Sequence, residues 1–288
     1  MFFYEIGNLS IDSTICVPYL NKRVRPDTGR IKISLSTSSF DKKFEDKRTI
    51  FSKDCIFYKS KTGSIYKISK NEISIYPASA DNLNELSRIL IGLPLGYLLK
   101  LNGLNVLHGC CVSKGNKAAC IIGKSGAGKS TMALGLTNLG LDFVTEDLCV
   151  FQNKKILGFS PWVKSSEVNF IKSSIKSTEN IPIENDARER IFYKIPDNKV
   201  CNIGSMPKIF YFPIQNKNRA LIKIKKIEAF EKIFAYSYRI ENQANNELEN
   251  ITEIAKEVEC YSFYRDINSP AEDNLSFIME HLQKELSS

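Results

Sequence analysis

Apolar and polar residues alternate at residues 30–36 (RIKISLS) and through residues 64–76 (SIYKISKNEISIY), where two alternating runs flank Lys70-Asn71. A period of two puts successive side chains on opposite faces of a strand, so the first eighty or so residues read as strand-rich, with a hairpin over 64–76. The period then changes. Leu83, Leu86, Ile89, Leu90 and Leu93 fall on one face of a helix, with Asp81 as its candidate cap, Glu85 near its first turn and Pro94 as the point of interruption. From Asn105 the chain runs through short apolar segments: NVLHGCCV, a turn at 113–117, AACII, a glycine-rich stretch, and a helix with Met132, Leu136 and Leu139 in step before Gly140 as C-cap. Residues 142–151 (DFVTEDLCVF) return as a strand. Residues 154–207 are polar and turn-rich and read as loops over a sheet edge, where a substrate can sit. Strand character resumes at 208–214 and 220–227. A last helix is signalled by Ser269 at the N-cap, Pro270 and Glu272, followed by Leu275, Ile278, Met279, Leu282 and Leu286 on one face. The pattern divides the chain into a strand-rich N-terminal subdomain, residues 1–82, and an α/β domain, residues 83–288.

Composition narrows the class. The 288 residues are 43% hydrophobic and 25% charged, enough for a full core without a disulfide or metal staple. The net charge of +8 is spread along the chain, which reads as solvated lysine-rich surface and not as a nucleic-acid footprint. The eight cysteines contain no C-x-x-C pair and do not cluster with His108 or His281, so zinc is not expected. The start MFFYEIGNLS lacks the pattern of a secretory signal, and a reducing cytoplasm is the expected compartment. The longest apolar run, residues 89–99, is too short to span a bilayer, so no stable membrane insertion is expected.

The chemistry concentrates in GKSGAGKST, residues 123–131. Gly123, four residues, then Gly128-Lys129-Ser130 is the phosphate-loop pattern, and it lies between a predicted strand and a predicted helix. Glycines let the backbone turn tightly and approach an anion without a Cβ in the way. The residues from Gly123 through Lys124, Ser125, Gly126, Ala127 and Gly128 to Lys129, Ser130 and Thr131 are therefore expected to bind nucleotide phosphates. Lys129 would reach the β and γ oxygens and Ser130 would ligate Mg²⁺. Glu146 and Asp147 follow Lys129 by only seventeen and eighteen residues, at the end of the next strand-like run. Adjacent residues of a regular strand point to opposite faces, so both acids can serve one site only if the strand ends or bends between them. One would then hold Mg²⁺ and the other accept the proton of a hydroxyl being phosphorylated; the alternative is one acid at the site and one in an ion pair. His108 lies one strand and one turn before the loop, and can orient a carboxylate. Arg188, Arg190 and Lys194 are either phosphate contacts or a solvated charge run.

Residues 107–151, with His108-Gly109, the loop and the acid pair, resemble the core of the HPr kinase/phosphorylase family, including small stand-alone members that modify lasso-type precursor peptides. The resemblance implies a phosphoenolpyruvate-carboxykinase-like P-loop core, a mixed sheet with flanking helices. It further implies ATP with Mg²⁺, a catalytic set of His108, Lys129, Glu146 and Asp147 with Ser130, Glu146 and Asp147 on the metal, and transfer to a Ser or Thr hydroxyl. It also implies a homo-oligomer. The sequence departs from the family in having Glu146 where an aspartate is common, in its strand-rich first eighty residues, and in lacking the E-x-R-G-x-G signature of the bifunctional enzymes. The expected acceptor is accordingly a peptide or small protein; HPr itself, a small-molecule acceptor, or a non-catalytic nucleotide-dependent binding module are the alternatives.

Overall fold

The computed structural model describes the chain except residues 25–29, 39, 41–43, 45–46, 166–178, 183–189, 202–203, 241–243 and 288. The chain divides into two compact units, residues 1–105 with 238–244, and residues 106–237 with 245–288.

The first unit is built on β1 (Phe2–Ile6), β2 (Leu9–Ser13), β3 (Arg30–Leu35), β4 (Thr49–Phe51), β5 (Ile56–Lys59), β6 (Ile65–Ser69) and β7 (Glu72–Tyr76), in the sheet order β1-β2-β3-β7-β6-β5-β4. The hairpin over 64–76 forms with Ser69 opposite Glu72, and its alternation buries Tyr66, Ile68, Ile73 and Ile75 completely. The helix after it is capped by Asn82, whose Oδ1 accepts the Glu85 amide at 2.9 Å. Asp81 instead accepts from Thr62 Oγ1 at 2.7 Å and from Ser64 Oγ, so the competing side chains displace the cap by one residue. The helix is broken into α1 (Leu83–Leu90) and α2 (Leu93–Leu101), and Pro94 falls in the first turn of α2, where no amide proton is required. Gly96 lets Tyr238 lie flat on α2: a Cβ there would stand 2.4 Å from the Tyr238 ring, which explains why residues 238–244 belong to this unit.

The second unit is a mixed sheet of β8 (Asn105–Lys114), β9 (Lys117–Ile122), β10 (Asp142–Thr145), β11 (Leu148–Gln152), β12 (Lys155–Ile156), β16 (Met206–Asn216), β17 (Ala220–Lys223) and β18 (Glu259–Asp266). Its order is β12-β11-β8-β9-β16-β18-β17, with β10 also on β8; β9, β16 and β18 run parallel and β8 and β17 antiparallel to their neighbours. Alternate strand residues feed two cores. Cys110, Val112, Ala119, Ile121, Ile209 and Tyr211 pack beneath α3 (Lys129–Asn138) and the helix Ala271–Ser287. Cys111, Cys120, Ile122, Phe210 and Phe212 pack on the other side with Ile233, Ile251 and Ala255, from the helices Lys226–Ala235 and Ala244–Glu257. Near-continuous apolar strands are what a sheet covered on both faces requires.

Three further expectations change. Residues 154–207 are not only loops: β13 (Trp162–Ser165), β14 (Asn180–Pro182) and β15 (Ile191–Lys194) form a three-stranded antiparallel sheet that buries Trp162, Val163, Phe192 and Tyr193. The strand expected over 220–227 stops at Lys223, and a helix begins at Lys226. The last helix starts at Ala271, because the Ser269 hydroxyl is spent on Asp266 Oδ2 at 2.6 Å.

Candidate functional site

The phosphate-loop pattern folds as a turn between β9 and α3, all within the second unit. Gly126 and Gly128 both have φ of 84°, a conformation that residues with a Cβ resist, so these two glycines are required by the turn itself. Gly128 is the N-cap of α3 and offers no side chain to it, leaving the first-turn amides and the positive end of the helix facing out of the loop. Lys129 is buried. Its Nζ donates to the Lys124 carbonyl at 3.1 Å and to His108 Nε2 at 3.2 Å.

The strand is interrupted at the two acids, both of which lie in the gap. β10 stops at Thr145 and β11 restarts at Leu148; Asp147 sits between them with φ of 60°, and β10 carries a register irregularity against β8 just before the break. The break aims both carboxylates at one cluster. Glu146 Oε1 accepts from the Ser130 hydroxyl at 2.5 Å, and its Oε2 accepts from the Lys164 amide at 2.7 Å. Asp147 Oδ2 receives the Lys164 ammonium at 2.5 Å, while its backbone carbonyl accepts from His108 Nδ1 and the Gly109 amide, each at 3.2 Å. Glu146 is thus bonded to the loop, and Asp147 is in an ion pair beside it.

Protonation follows from this geometry. The Lys129 ammonium has no lone pair, so His108 Nε2 must be the acceptor and Nδ1–H the donor to the Asp147 carbonyl, which fixes a neutral tautomer. Burial, reinforced by the Lys129 and Lys164 charges, lowers the His108 pKa and keeps it neutral against the pull of Asp147. Burial raises the Glu146 carboxyl to about 7, with the Asp147 charge adding to the rise. For Asp147 burial acts upward too, but the Lys164 and Lys129 charges, with the Lys164 hydrogen bond, outweigh it and hold the carboxyl well below the usual range. Its side chain keeps 32% exposure, so solvent screens part of that attraction. Lys164 is likewise held protonated: burial works against its charge, and the two carboxylates overcome it. Two neighbouring acids pushed apart in this way take different roles.

A raised carboxyl makes a test possible without ligand. The native state holds a proton on Glu146 that the unfolded chain releases at lower pH, so the Glu146 contribution to stability falls as pH rises from about 4.5 to about 7. In Glu146→Gln the amide nitrogen can face Ser130 Oγ and the carbonyl the Lys164 amide, mimicking the protonated acid. Thermal unfolding without nucleotide or metal is expected to show the variant gaining stability over the native protein between pH 5 and pH 8. An unchanged difference across that range would contradict the buried-acid assignment.

Among the described residues, no three His, Cys, Asp or Glu side chains converge as metal ligands. Ser130, Glu146 and Asp147 offer the hydroxyl and carboxylate oxygens that Mg²⁺ takes beside phosphate oxygens and water.

Of the basic cluster, Arg190 is near enough to Lys164 for its charge to oppose that of the ammonium, Lys194 is paired with Glu179 at 2.8 Å, and Arg188 lies outside the described residues. Two residues were not singled out by the sequence. Lys164 sits on β13, and only the fold brings it to the acids. Arg265, near the end of β18, places its guanidinium over Gly128, with Nη1 2.7 Å from where a Cβ there would stand. The signal for Lys164 was a lysine directly after the apolar pair Trp162-Val163; the signal for Arg265 was an arginine closing an apolar run.

No protein-family model matches the chain, and no curated protein matches it in sequence. Among solved structures it is similar to one described as the HPr(Ser) kinase/phosphatase from Coxiella burnetii, with 12% identity over 62% of this chain and 88% of that one. The TM-score is 0.31.

Proposed function

We propose that this protein is a nucleoside-triphosphate-dependent kinase that transfers the terminal phosphoryl group to a hydroxyl. The observation that carries the reading is the interruption of the strand at Glu146-Asp147, which sets one acid on the Ser130 hydroxyl and the other beside it, within the field of Lys129. A phosphate loop alone serves switches, motors and kinases equally; a second, ionised and partly exposed acid next to the first is what a phosphoryl acceptor needs. The loop amides and Lys129 hold the phosphates, and Ser130 and Glu146 are the residues that would hold Mg²⁺. The metal, when bound, neutralises charge on the phosphate oxygens. Asp147 accepts the acceptor's proton: it is the more exposed acid, it stays ionised, and Lys164 fixes its position. Neutral His108 holds the Asp147 backbone and orients Lys129. In-line transfer needs positioning and charge more than a strong base, which suits a carboxylate of lowered pKa.

The acceptor in this reading is a Ser or Thr hydroxyl of a peptide or small protein, with ATP as donor. The resemblance of residues 107–151 to HPr-kinase-like cores supports it, and so does the lack of the E-x-R-G-x-G signature, which disfavours HPr. Intact-mass analysis after incubation with Mg²⁺-ATP and candidate acceptors tests this. Short peptides encoded beside the gene, HPr and a metabolite pool form the three arms, with Lys129→Ala as control. A Lys129-dependent gain of one phosphoryl group on a peptide supports the full reading, and a gain only on HPr or on a metabolite relocates the acceptor. ATP binding with no transfer in any arm would leave a nucleotide-gated binding module in its place.

A further inference from the structure

We infer that Arg265 binds the phosphates that ADP and ATP share, reaching the loop from the flank of the sheet opposite the strands that bracket the acids. The inference rests on the nucleotide reading above and adds a residue to it. In the sheet order β11-β8-β9-β16-β18, the strand that leads into the loop is β9. The acids come from the β10–β11 break, beside β8 on one flank, whereas Arg265 comes from β18 on the other. Because β9, β16 and β18 are parallel, their carboxyl ends open at the same edge of the sheet, where such sheets bind ligands.

Register makes the reach specific. Ile121 is level with Tyr211, and Tyr211 with Tyr261, so β18 continues past the end of β9 by three residues to Arg265, about 10 Å at strand rise. The side chain then returns over the loop. Arg265 Nε is closed off from solvent while Nη1, Cζ and Nη2 lie 2.7, 3.0 and 3.2 Å from the position a Gly128 Cβ would take. Gly128 is therefore needed twice: for its φ of 84° and for the guanidinium laid against it. Gly128 begins α3, whose first amides are the donors for the phosphate chain, so a planar cation here meets anionic oxygens with paired donors. The guanidinium lies at the N-cap of α3, whose amides cradle the phosphates that ADP and ATP share.

The test is calorimetric titration of Mg²⁺-ADP and Mg²⁺-ATP into the native full-length protein, Arg265→Met and Arg265→Lys. Arg265→Met is expected to weaken both nucleotides alike, by roughly tenfold or more for a lost charge-assisted hydrogen bond. Arg265→Lys should recover part of the loss, because it keeps the charge and loses the fork. In turnover assays the defect should fall on KM far more than on kcat. Thermal unfolding of both variants separates a folding defect from a binding one, and the lysine variant keeps the test decisive where the methionine variant is unstable. Unchanged ADP affinity in a folded variant, or a loss confined to ATP, would overturn the assignment. Should the native protein bind neither nucleotide, the nucleotide reading itself fails, a result distinct from a native protein that binds and an Arg265 variant that binds equally well.

Discussion

Asp147→Asn is expected to lower turnover by about 10²- to 10⁴-fold, the usual worth of a positioned general base, while Mg²⁺-ATP still binds. Asparagine suits this test because it tolerates the left-handed backbone that Asp147 adopts at φ of 60°, so the break between β10 and β11 survives the change. The backbone carbonyl still receives His108 Nδ1 and the Gly109 amide. What disappears is the negative charge that faces Lys164 and the acceptor's proton. Single-turnover transfer kinetics beside calorimetric ATP binding measure both halves of the expectation. A folded variant that transfers phosphate at the native rate would remove Asp147 from the chemistry and return the role to Glu146.

Lys129→Ala is expected to reduce transfer by about 10²- to 10³-fold, as when one preorganised donor to a developing anion is removed. The ammonium is buried and held by two acceptors, the Lys124 carbonyl and His108 Nε2, so it is already positioned before any phosphate arrives. Its loss also removes one of the charges that keep His108 neutral and Asp147 ionised. ATP affinity should fall together with rate, in contrast to Asp147→Asn. Phosphoryl transfer measured against nucleotide binding in the two variants distinguishes a residue that holds phosphate from one that handles the acceptor. Native transfer by Lys129→Ala would refute the kinase reading.

The glycine-rich turn, its positive-φ glycines and the helix after it were legible in the chain because each is a local pattern. Loop geometry is dictated by residues within nine positions, and the hairpin over 64–76 by alternation around one turn. The errors were also physical. Asn82 outcompeted Asp81 as a cap because Asp81 was claimed by Thr62 and Ser64, which are distant in sequence. The sheet of β13, β15 and β14 was missed because its strands are short and separated by long polar stretches.

By itself the sequence determined which groups could do phosphate chemistry: glycines that admit positive φ, one lysine, one hydroxyl and two adjacent acids. It also set the requirement that the strand break between those acids. Tertiary structure decided that the break occurs, with Asp147 in a left-handed conformation, that Lys164 reaches the acids from a later strand, and that Arg265 reaches Gly128 from the far end of the chain. It also decided that Glu146 is held up and Asp147 down in pKa, since only the packed chain determines how far each carboxyl is from water and from a cation. Local conformational preference is written in neighbouring residues, whereas desolvation and charge proximity arise only when distant strands meet.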